Sequence, residues 1–255
     1  MKRGMALLLA VVLLALCGTA MAEDTVITLS GDGIRCEGAG AVADGGIVTI
    51  TQPGTYRLSG TLTDGQVRVD CAGKGEVVLV LCGVDIHGER GPAILIDQVK
   101  PRLRLTLAEG TENRLSGGAA FDVDEEEEPN GVIFSRSDLL LDGTGSLQVD
   151  AACYDGIVSK DSLTIAGGTL AVTAARNGLR GKDSLTVSGG DLTVTCGKDG
   201  LRSTNEKDAD CGVVLLLGGT VRIVCGDDPI DAARGWTLSG AALDAVITDE
   251  VMAHE

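Results

Sequence analysis

The sequence predicts an all-β fold, in which short parallel strands stack on one another as the rungs of a parallel β-helix solenoid. Two observations predict it. The stretch YDGIVSKDSLTIAGGTLAVTAA at 154–175 is followed at once by RNGLRGKDSLTVSGGDLTVTCG, so the chain repeats with a period of 22 residues, which indicates a repeat architecture. Apolar and polar residues alternate within each repeat, as around Leu163 and Ile165, and this period of two is typical of a strand.

Each repeat divides into three short strands. Two of them are separated by a Gly-Gly pair, where positive φ is adopted at little cost, at 167–168, 189–190 and 218–219. The third follows an Asx-Gly pair and begins near Ile157, Leu179 and Leu201. Stacked rungs place equivalent residues about 4.8 Å apart. The predicted inward columns are Ile157–Leu179–Leu201–Ile230, Leu163–Leu185–Val214–Trp236 and Val172–Val194–Ile223–Ala245. We expect Trp236 to close the core near the last rung, because a single rung cannot bury its own apolar face.

The chain is predicted to consist of a leader and one domain. Residues 1–22 combine two positive charges, an apolar core and a small-x-small ending, as in a cleaved secretory signal. A lipoprotein signal would have a small residue before Cys17, where Leu16 stands, and the apolar run is short for a membrane anchor. We therefore expect a secreted or cell-surface bacterial protein. The single domain, 23–255, is divided into 25–62 (N-terminal β cap and first rung), 63–153 (irregular rungs with an acidic loop at 119–129) and 154–247 (regular repeats).

Charge restricts the partners. Once Lys2 and Arg3 have left with the signal, 19 basic residues face 37 acidic ones, a net charge of about −18. Such a surface repels nucleic-acid phosphates, and it also disfavours unassisted binding of an acidic polymer. A divalent cation could reverse the second conclusion. Seven cysteines remain without zinc-type CxxC pairs, and we expect them to be buried mainly as small hydrophobic residues, with a disulfide framework of undetermined pairing as the alternative.

Polar residues recur at two positions of the repeat and are expected to form two outward columns. The first contains Asp155, Asn177, Asp199 and, after an inserted EKDADC segment, Asp228; the second contains Asp161, Asp183 and Asn205. Two bare carboxylates about 5 Å apart repel by roughly 3 kcal/mol at an effective dielectric constant near 20. Something must therefore neutralise them.

Two interpretations of these columns remain open. In the structural one, the basic side chains Lys160, Lys182, Arg180 and Arg202 neutralise the acids, while the Asx side chains hold tight corners by bonding to backbone. In the functional one, calcium lies between rungs, because carboxylates, amide carbonyls and corner backbone carbonyls are the oxygen ligands that it takes. The acidic loop is a weaker candidate, since a run of charges is usually solvated.

Evidence for catalysis in the sequence is slight. Neither His87 nor His254 has a recognisable Ser or Cys nucleophile motif beside it. Arg180 and Arg202 share a column with Val158, and a lyase could use such a basic residue to abstract a sugar proton beside calcium, although ion pairing with nearby acids is the commoner role. Aromatic residues that could stack on neutral sugars are few, with Tyr56 and Tyr154 the best exposed candidates, so sugar recognition should be polar and ionic.

The ordered run of motifs resembles a known family. GTYRLSGTLTDGQVRVD, VVLVLCGVDIHGERGPAILI, LTLAEGTENRLSGG, IFSRSDLLLDGTGSLQV and the DGI-SKDSLTI series together resemble exported bacterial carbohydrate-binding domain-containing proteins over roughly residues 45–245. The resemblance implies a pectate-lyase-like, right-handed parallel β-helix with bound calcium. It also implies binding of polygalacturonate, and to some degree cellulose, without lyase action.

Carried over to this chain, the resemblance implies calcium ligands among Asp155, Asp161, Asp183, Asp199 and Asn205, with Asn177 standing where the repeat otherwise has Asp. Lys160, Arg180, Lys182 and Arg202 are then candidate ligand-binding residues for an acidic sugar. The alternatives are a calcium-dependent polysaccharide lyase with an arginine base, and a surface adhesin or spacer without a sugar ligand.

Overall fold

A computed structural model describes residues 24–31, 33–122 and 128–248. These residues form 25 strands. Within this part of the chain no helix is long and apolar enough to cross a membrane. The predicted signal segment, His254 and residues 123–127 of the acidic loop lie outside the described residues.

Strands follow one another along the whole of this part of the chain. The first twelve are β1 (Thr25–Gly31), β2 (Gly33–Glu37), β3 (Ala41–Asp44), β4 (Ile47–Ile50), β5 (Gly54–Leu62), β6 (Gln66–Lys74), β7 (Val77–Gly88), β8 (Ile94–Lys100), β9 (Leu103–Leu107), β10 (Glu112–Gly117), β11 (Gly131–Ser135) and β12 (Leu139–Gly143). The others are β13 (Ser146–Ala151), β14 (Asp155–Ser159), β15 (Ser162–Ile165), β16 (Thr169–Ala174), β17 (Leu179–Gly181), β18 (Ser184–Val187), β19 (Asp191–Cys196), β20 (Leu201–Ser203), β21 (Val213–Leu216), β22 (Thr220–Cys225), β23 (Ile230–Ala232), β24 (Gly235–Leu238) and β25 (Ala242–Ile247).

The strands belong to two hydrogen-bonded sheets. The 16-stranded sheet follows the order β24-β21-β18-β15-β12-β9-β7-β10-β13-β16-β19-β22-β25, with β5, β1 and β2 attached through β7. The nine-stranded sheet follows the order β23-β20-β17-β14-β11-β8-β6-β4-β3. Most neighbours are parallel, but β1–β2 and β3–β4 are antiparallel pairs.

The predicted fold class, a right-handed parallel β-helix with three short strands per rung, is wrong. The sheets are mixed rather than purely parallel. The strand β7 is 12 residues long, and it pairs with β9 through its first half and with β10 through its last four residues. Two of the three expected strand stacks, one running from β9 to β24 and the other from β10 to β25, are therefore joined through β7 into one sheet. The fold is all-β, with two largely parallel sheets.

The register between repeats follows the predicted columns. Ile157 pairs with Leu179, which pairs in turn with Leu201 on the next strand. The other two columns also pair as predicted, through β15–β18–β21–β24 and β16–β19–β22–β25. Most of these side chains are buried in one continuous apolar core. The second glycine of each pair has positive φ, as expected, at Gly168, Gly190 and Gly219.

One corner contains the inserted segment. Ser184 pairs with Val213, a step of 29 residues, whereas Ser162 pairs with Ser184 after 22. Beyond the insertion the ladder continues without interruption, since Leu192 pairs with Val221. The extra residues therefore leave the sheets in place.

Three expectations about burial need correction. Trp236 does not close the core, because it is 51% exposed on β24, the last strand of its stack among the described residues. Tyr56 and Tyr154 are not exposed sugar platforms, since 1% and 8% of their surfaces are accessible. Tyr56 donates a hydrogen bond to the Gln52 carbonyl at 2.7 Å, and the Tyr154 ring packs edge-on against Phe121. Of the seven cysteines, all free, Cys71, Cys196 and Cys225 are buried and the others are half-buried.

Candidate functional site

The first polar column is a buried ladder of side chains, which we call the Asx ladder (Asp155, Asn177 and Asp199). These residues are 3–5% exposed, so the expected outward orientation is wrong. Asp155 Oδ1 accepts hydrogen bonds from the backbone N–H of Asn177 at 3.0 Å and from its Nδ2 at 2.8 Å. Asn177 Oδ1 accepts the backbone N–H of Asp199 at 3.3 Å. Each side chain therefore ties its own corner to the next one.

The glycine that follows each Asx residue is required by close packing. A Cβ on Gly178 would lie 2.2 Å from Cγ1 of Val194 and 2.7 Å from the carbonyl oxygen of Gly200. Gly156 and Gly200 face the equivalent atoms of their own repeats. The Asx-Gly pair thus combines an Asx side chain that bonds to the backbone with a glycine, whose lack of a side chain lets the core valine and the next repeat pack against the corner.

Two arginines neutralise the carboxylates of the Asx ladder. Arg180 Nε lies 3.1 Å from Asp155 Oδ2, and its Nη2 donates to Asn130 Oδ1 at 2.7 Å. Arg202 lies 3.0 Å from Asp199 and 3.1 Å from Asp231. Burial raises the pKa of Asp199, and the Arg202 guanidinium opposes that rise. These contacts favour the structural interpretation for this column, because its oxygens are already engaged by backbone and guanidinium donors.

The second column differs, since no arginine is ion-paired with its acids among the described residues. Asp161 and Asp183 each immediately precede a strand of the 16-stranded sheet, and Asp138 occupies the same place before β12. We call these three residues the carboxylate file. Asp138 Oδ1 accepts the N–H of Ser162 at 3.0 Å, and the Asn205 amide donates to Asp183 at 2.7 Å. The file is half-buried, at the corner between the two sheets.

Electrostatics identify Asp161 as the strained member of the file. Burial raises its pKa most, the neighbouring carboxylates of Asp138 and Asp183 raise it further, and Lys182 only partly opposes them. No hydrogen-bond donor to the Asp161 carboxylate is present among the described residues. These are residues that could hold a hard cation, because a cation between them would relieve the like-charge repulsion and because carboxylate and amide oxygens are the ligands that calcium takes.

Of the remaining predicted residues, Lys182 and Asn205 lie beside the carboxylate file and Lys160 lies apart from both columns. Lys160 pairs with Glu128, which also accepts a hydrogen bond from Arg136 at 2.8 Å. Lys182 is exposed beside the carboxylate file. Asn205 is 5% exposed and accepts N–H groups of the inserted segment.

A third acidic group lies at the end of the Asx ladder. Carboxylate oxygens of Asp199, Asp227 and Asp228 lie within 4.8 Å of one another, with Asp227 and Asp228 exposed. The pattern of repeats indicated Asp199 and Asp228 but not Asp227. Asp138 was also missed, because its repeat is two residues longer and the motif there reads SRSD rather than SKD.

The like-charge strain on Asp161 predicts the effect of removing its charge. A carboxyl whose folded-state pKa is raised binds its proton more tightly in the folded protein, so the free energy of unfolding falls as pH rises through that range. We therefore expect Asp161→Asn to melt a few degrees higher than the parent protein at neutral pH in a chelator. The gain should vanish below about pH 4, where the unfolded carboxyl is also protonated. Thermal scans at several pH values test this, with the exposed Asp44→Asn as control. An equal gain at every pH would contradict it.

Sequence comparisons match this chain to one family of proteins. The family model of carbohydrate-binding domain-containing proteins matches residues 44–254. A carbohydrate-binding domain-containing protein of Acetivibrio thermocellus (strain ATCC 27405) is 43% identical over 196 residues, which cover 76% of this chain and 68% of that protein.

A solved structure is similar over most of the molecule. It is the polysaccharide lyase-like protein from C. thermocellum, a gadolinium derivative, with a TM-score of 0.76 and 30% sequence identity. The alignment covers 89% of this chain and 96% of that chain. A polysaccharide lyase-like fold therefore replaces the solenoid class that the sequence pattern predicted. The family match over most of the length establishes that this chain belongs to the carbohydrate-binding domain-containing protein family.

Proposed function

We propose that the protein binds an acidic polysaccharide of the polygalacturonate type without cleaving it, through calcium held at the carboxylate file. The observation that carries the proposal is the file itself. Three carboxylates occupy equivalent corners of successive repeats, and the central one, Asp161, has a raised pKa because of burial and its two acidic neighbours. In the Asx ladder, by contrast, arginines balance the charge.

Net charge explains why a cation is needed. The whole chain has a formal charge of −16. A polymer of uronic acids would therefore be repelled, unless a divalent ion joined its carboxylates to those of the protein. Calcium suits this role because it accepts six to eight oxygen ligands in flexible geometry, and the protein need supply only some of them. The polymer would complete the coordination.

Family membership supports the carbohydrate part of the proposal. The family and the relative from Acetivibrio thermocellus are described as carbohydrate-binding, and the chain has few aromatic side chains for stacking on neutral sugars. The signal-like residues 1–22 support a location outside the cell. Extracellular calcium sites are typically weak, with dissociation constants of about 10⁻⁴–10⁻³ M, as expected for a site that its ligand must complete.

The polysaccharide lyase-like neighbour supports one alternative, a lyase with an arginine base. The candidate bases, Arg180 and Arg202, are both ion-paired with buried carboxylates of the Asx ladder. An arginine that balances a buried acid is poorly placed to give up its proton. Binding without cleavage is therefore the better supported function.

Retention on immobilised polygalacturonate tests the proposal. We expect the parent protein to be retained in calcium and released by EDTA. The double variant Asp161→Ala/Asp183→Ala should bind at least about tenfold more weakly, because the ion loses two of its protein ligands. The matched control Glu37→Ala/Asp44→Ala removes the same charge from exposed positions in β2 and β3, and it should bind as the parent does.

Other outcomes would contradict the proposal in distinct ways. Growth of ultraviolet absorbance from unsaturated sugar ends would identify a lyase. Retention that persists in EDTA would contradict a role for calcium at the carboxylate file. Equal retention of the two double variants would contradict it as well. No retention under any condition would favour an adhesin or spacer.

A further inference from the structure

A serine, a histidine and a glutamate form a hydrogen-bonded relay on the 16-stranded sheet, away from the carboxylate file. Ser116 on β10 and His87 on β7 stand directly opposite each other in the parallel register. The Ser116 hydroxyl lies 2.8 Å from His87 Nδ1, and Glu89 Oε2 lies 2.9 Å from His87 Nε2. Ser116 and His87 are half-buried, and Glu89 is exposed.

The carboxylate determines which way the relay is polarised. Glu89 can only accept a hydrogen bond when it is ionised, so the proton of the neutral imidazole resides on Nε2. Nδ1 is then the unprotonated nitrogen, and the Ser116 hydroxyl donates to it. A hydroxyl that donates to an imidazole whose far side is held by a carboxylate is the arrangement in which serine becomes a nucleophile.

The relay opens onto space that could hold a substrate. A hollow of about 350 Å³ is lined by His87, Arg114, Ser116 and Asp150, among others. A second hollow of about 420 Å³ shares Arg114 and continues along the same face past Asp85. Arg114 points to the same side of β10 as Ser116, two residues away, and pairs with Asp150 at 2.9 Å. Its guanidinium has five N–H donors, so the pair with Asp150 leaves some of them for a ligand in the hollow.

We propose that this relay hydrolyses small acyl esters on polysaccharides, with Ser116 as the nucleophile and His87 as the general base. The Ser116 oxygen bonds to the acyl carbon while its proton moves to His87 Nδ1. His87 then returns that proton to the departing sugar oxygen as the ester bond breaks. Water attacks the acyl-serine in the same way, which releases a carboxylic acid and regenerates the hydroxyl. No oxidant, metal or cofactor is needed.

The charge of the hollows selects the substrate class. Asp85, Glu112 and Asp150 line them, with Arg114 as the one full cation among the described lining residues. A free uronate would be repelled there, whereas an acetylated sugar carries its acyl group as a neutral ester. The relay therefore suits acetyl substituents, and it would act separately from calcium-dependent retention at the carboxylate file.

Hydrolysis of 4-nitrophenyl acetate and of an acetylated neutral polysaccharide tests the proposal, with acetate release as the readout. Ser116→Ala and His87→Ala should each lose at least about 100-fold in kcat. Glu89→Gln, a positioning change, should lower kcat with KM and melting temperature unchanged. The control Ser184→Ala removes a hydroxyl that bonds to Ser162 Oγ at 3.0 Å rather than to a histidine, and it should keep full activity.

A fluorophosphonate reagent supplies a readout that is independent of turnover. We expect a single covalent adduct on Ser116, located by peptide mass mapping, which disappears in His87→Ala. Absence of both the adduct and acetate release from the folded parent protein would overturn the proposal, as would activity that persists in Ser116→Ala. Retention on polygalacturonate should be unchanged in Ser116→Ala, so this proposal and the calcium proposal can fail separately.

Discussion

Replacing Asp155 with alanine is expected to lower the free energy of unfolding by about 3–5 kcal/mol. Asp155 is 3% exposed, and its two oxygens serve the backbone and amide of Asn177 and the guanidinium of Arg180. Alanine would leave the backbone N–H and the amide of Asn177 without their acceptor, and the Arg180 guanidinium without its counterion. Removal of one member of a buried ion pair is costly because the other charge stays behind.

Urea denaturation monitored by circular dichroism would measure the loss. Asp155→Asn is the matched control, because its carbonyl oxygen can still accept the N–H of Asn177 while the pair with Arg180 loses its charge. We expect the asparagine variant to lose less than half as much. The loss should also be the same in calcium and in EDTA. A larger loss in calcium would show that Asp155 is a metal ligand, and a loss under about 1 kcal/mol would contradict the Asx ladder.

Alanine at Gly178 is expected to destabilise the protein by about 2–4 kcal/mol. The added Cβ would lie 2.2 Å from Val194 Cγ1 and 2.7 Å from the Gly200 carbonyl oxygen. The valine belongs to a packed inward column, and the carbonyl accepts the N–H of Leu179 at 3.0 Å. Neither atom can move away without breaking a contact between repeats.

The same denaturation experiment tests this, with Gly91→Ala as the control. A Cβ at Gly91 would have Gln66 Nε2 as its nearest neighbour, at an ordinary 3.8 Å. That variant should stay within about 0.5 kcal/mol of the parent protein. If both glycine variants unfold at the same urea concentration, the steric account of the Asx-Gly pair is wrong.

Much of the local structure could be predicted because the repeat is regular. A period of 22 residues and the alternation within it were enough to place Ile157 against Leu179 and Val172 against Val194. The number of sheets could not be predicted in this way. It depends on β7, a single long strand outside the regular repeats that joins two strand stacks into one sheet.

The candidate site was only partly predictable, for a related reason. Alignment of repeats shows which residues share a column, but it does not show whether a corner side chain turns inward. The Asx ladder turns inward because the following glycine lets the corner close around it. Asp161 and Asp183 stay half-buried at their corner, and Asp138 does not align with them by the 22-residue period because its repeat is two residues longer. In the Ser116–His87–Glu89 relay, Ser116 and His87 are 29 positions apart in an irregular region and belong to no recognisable sequence motif.

The inserted segment after Asn205 shows where this architecture tolerates growth. Seven additional residues enter between two repeats, yet the strands on either side keep their pairing. Descendants of such a gene could therefore vary the length and chemistry of that corner without refolding the body of the molecule. Asn205 donates to Asp183 at 2.7 Å and also bonds to the inserted residues. Sequence changes in the inserted segment would therefore alter the surroundings of the Asp183 carboxylate.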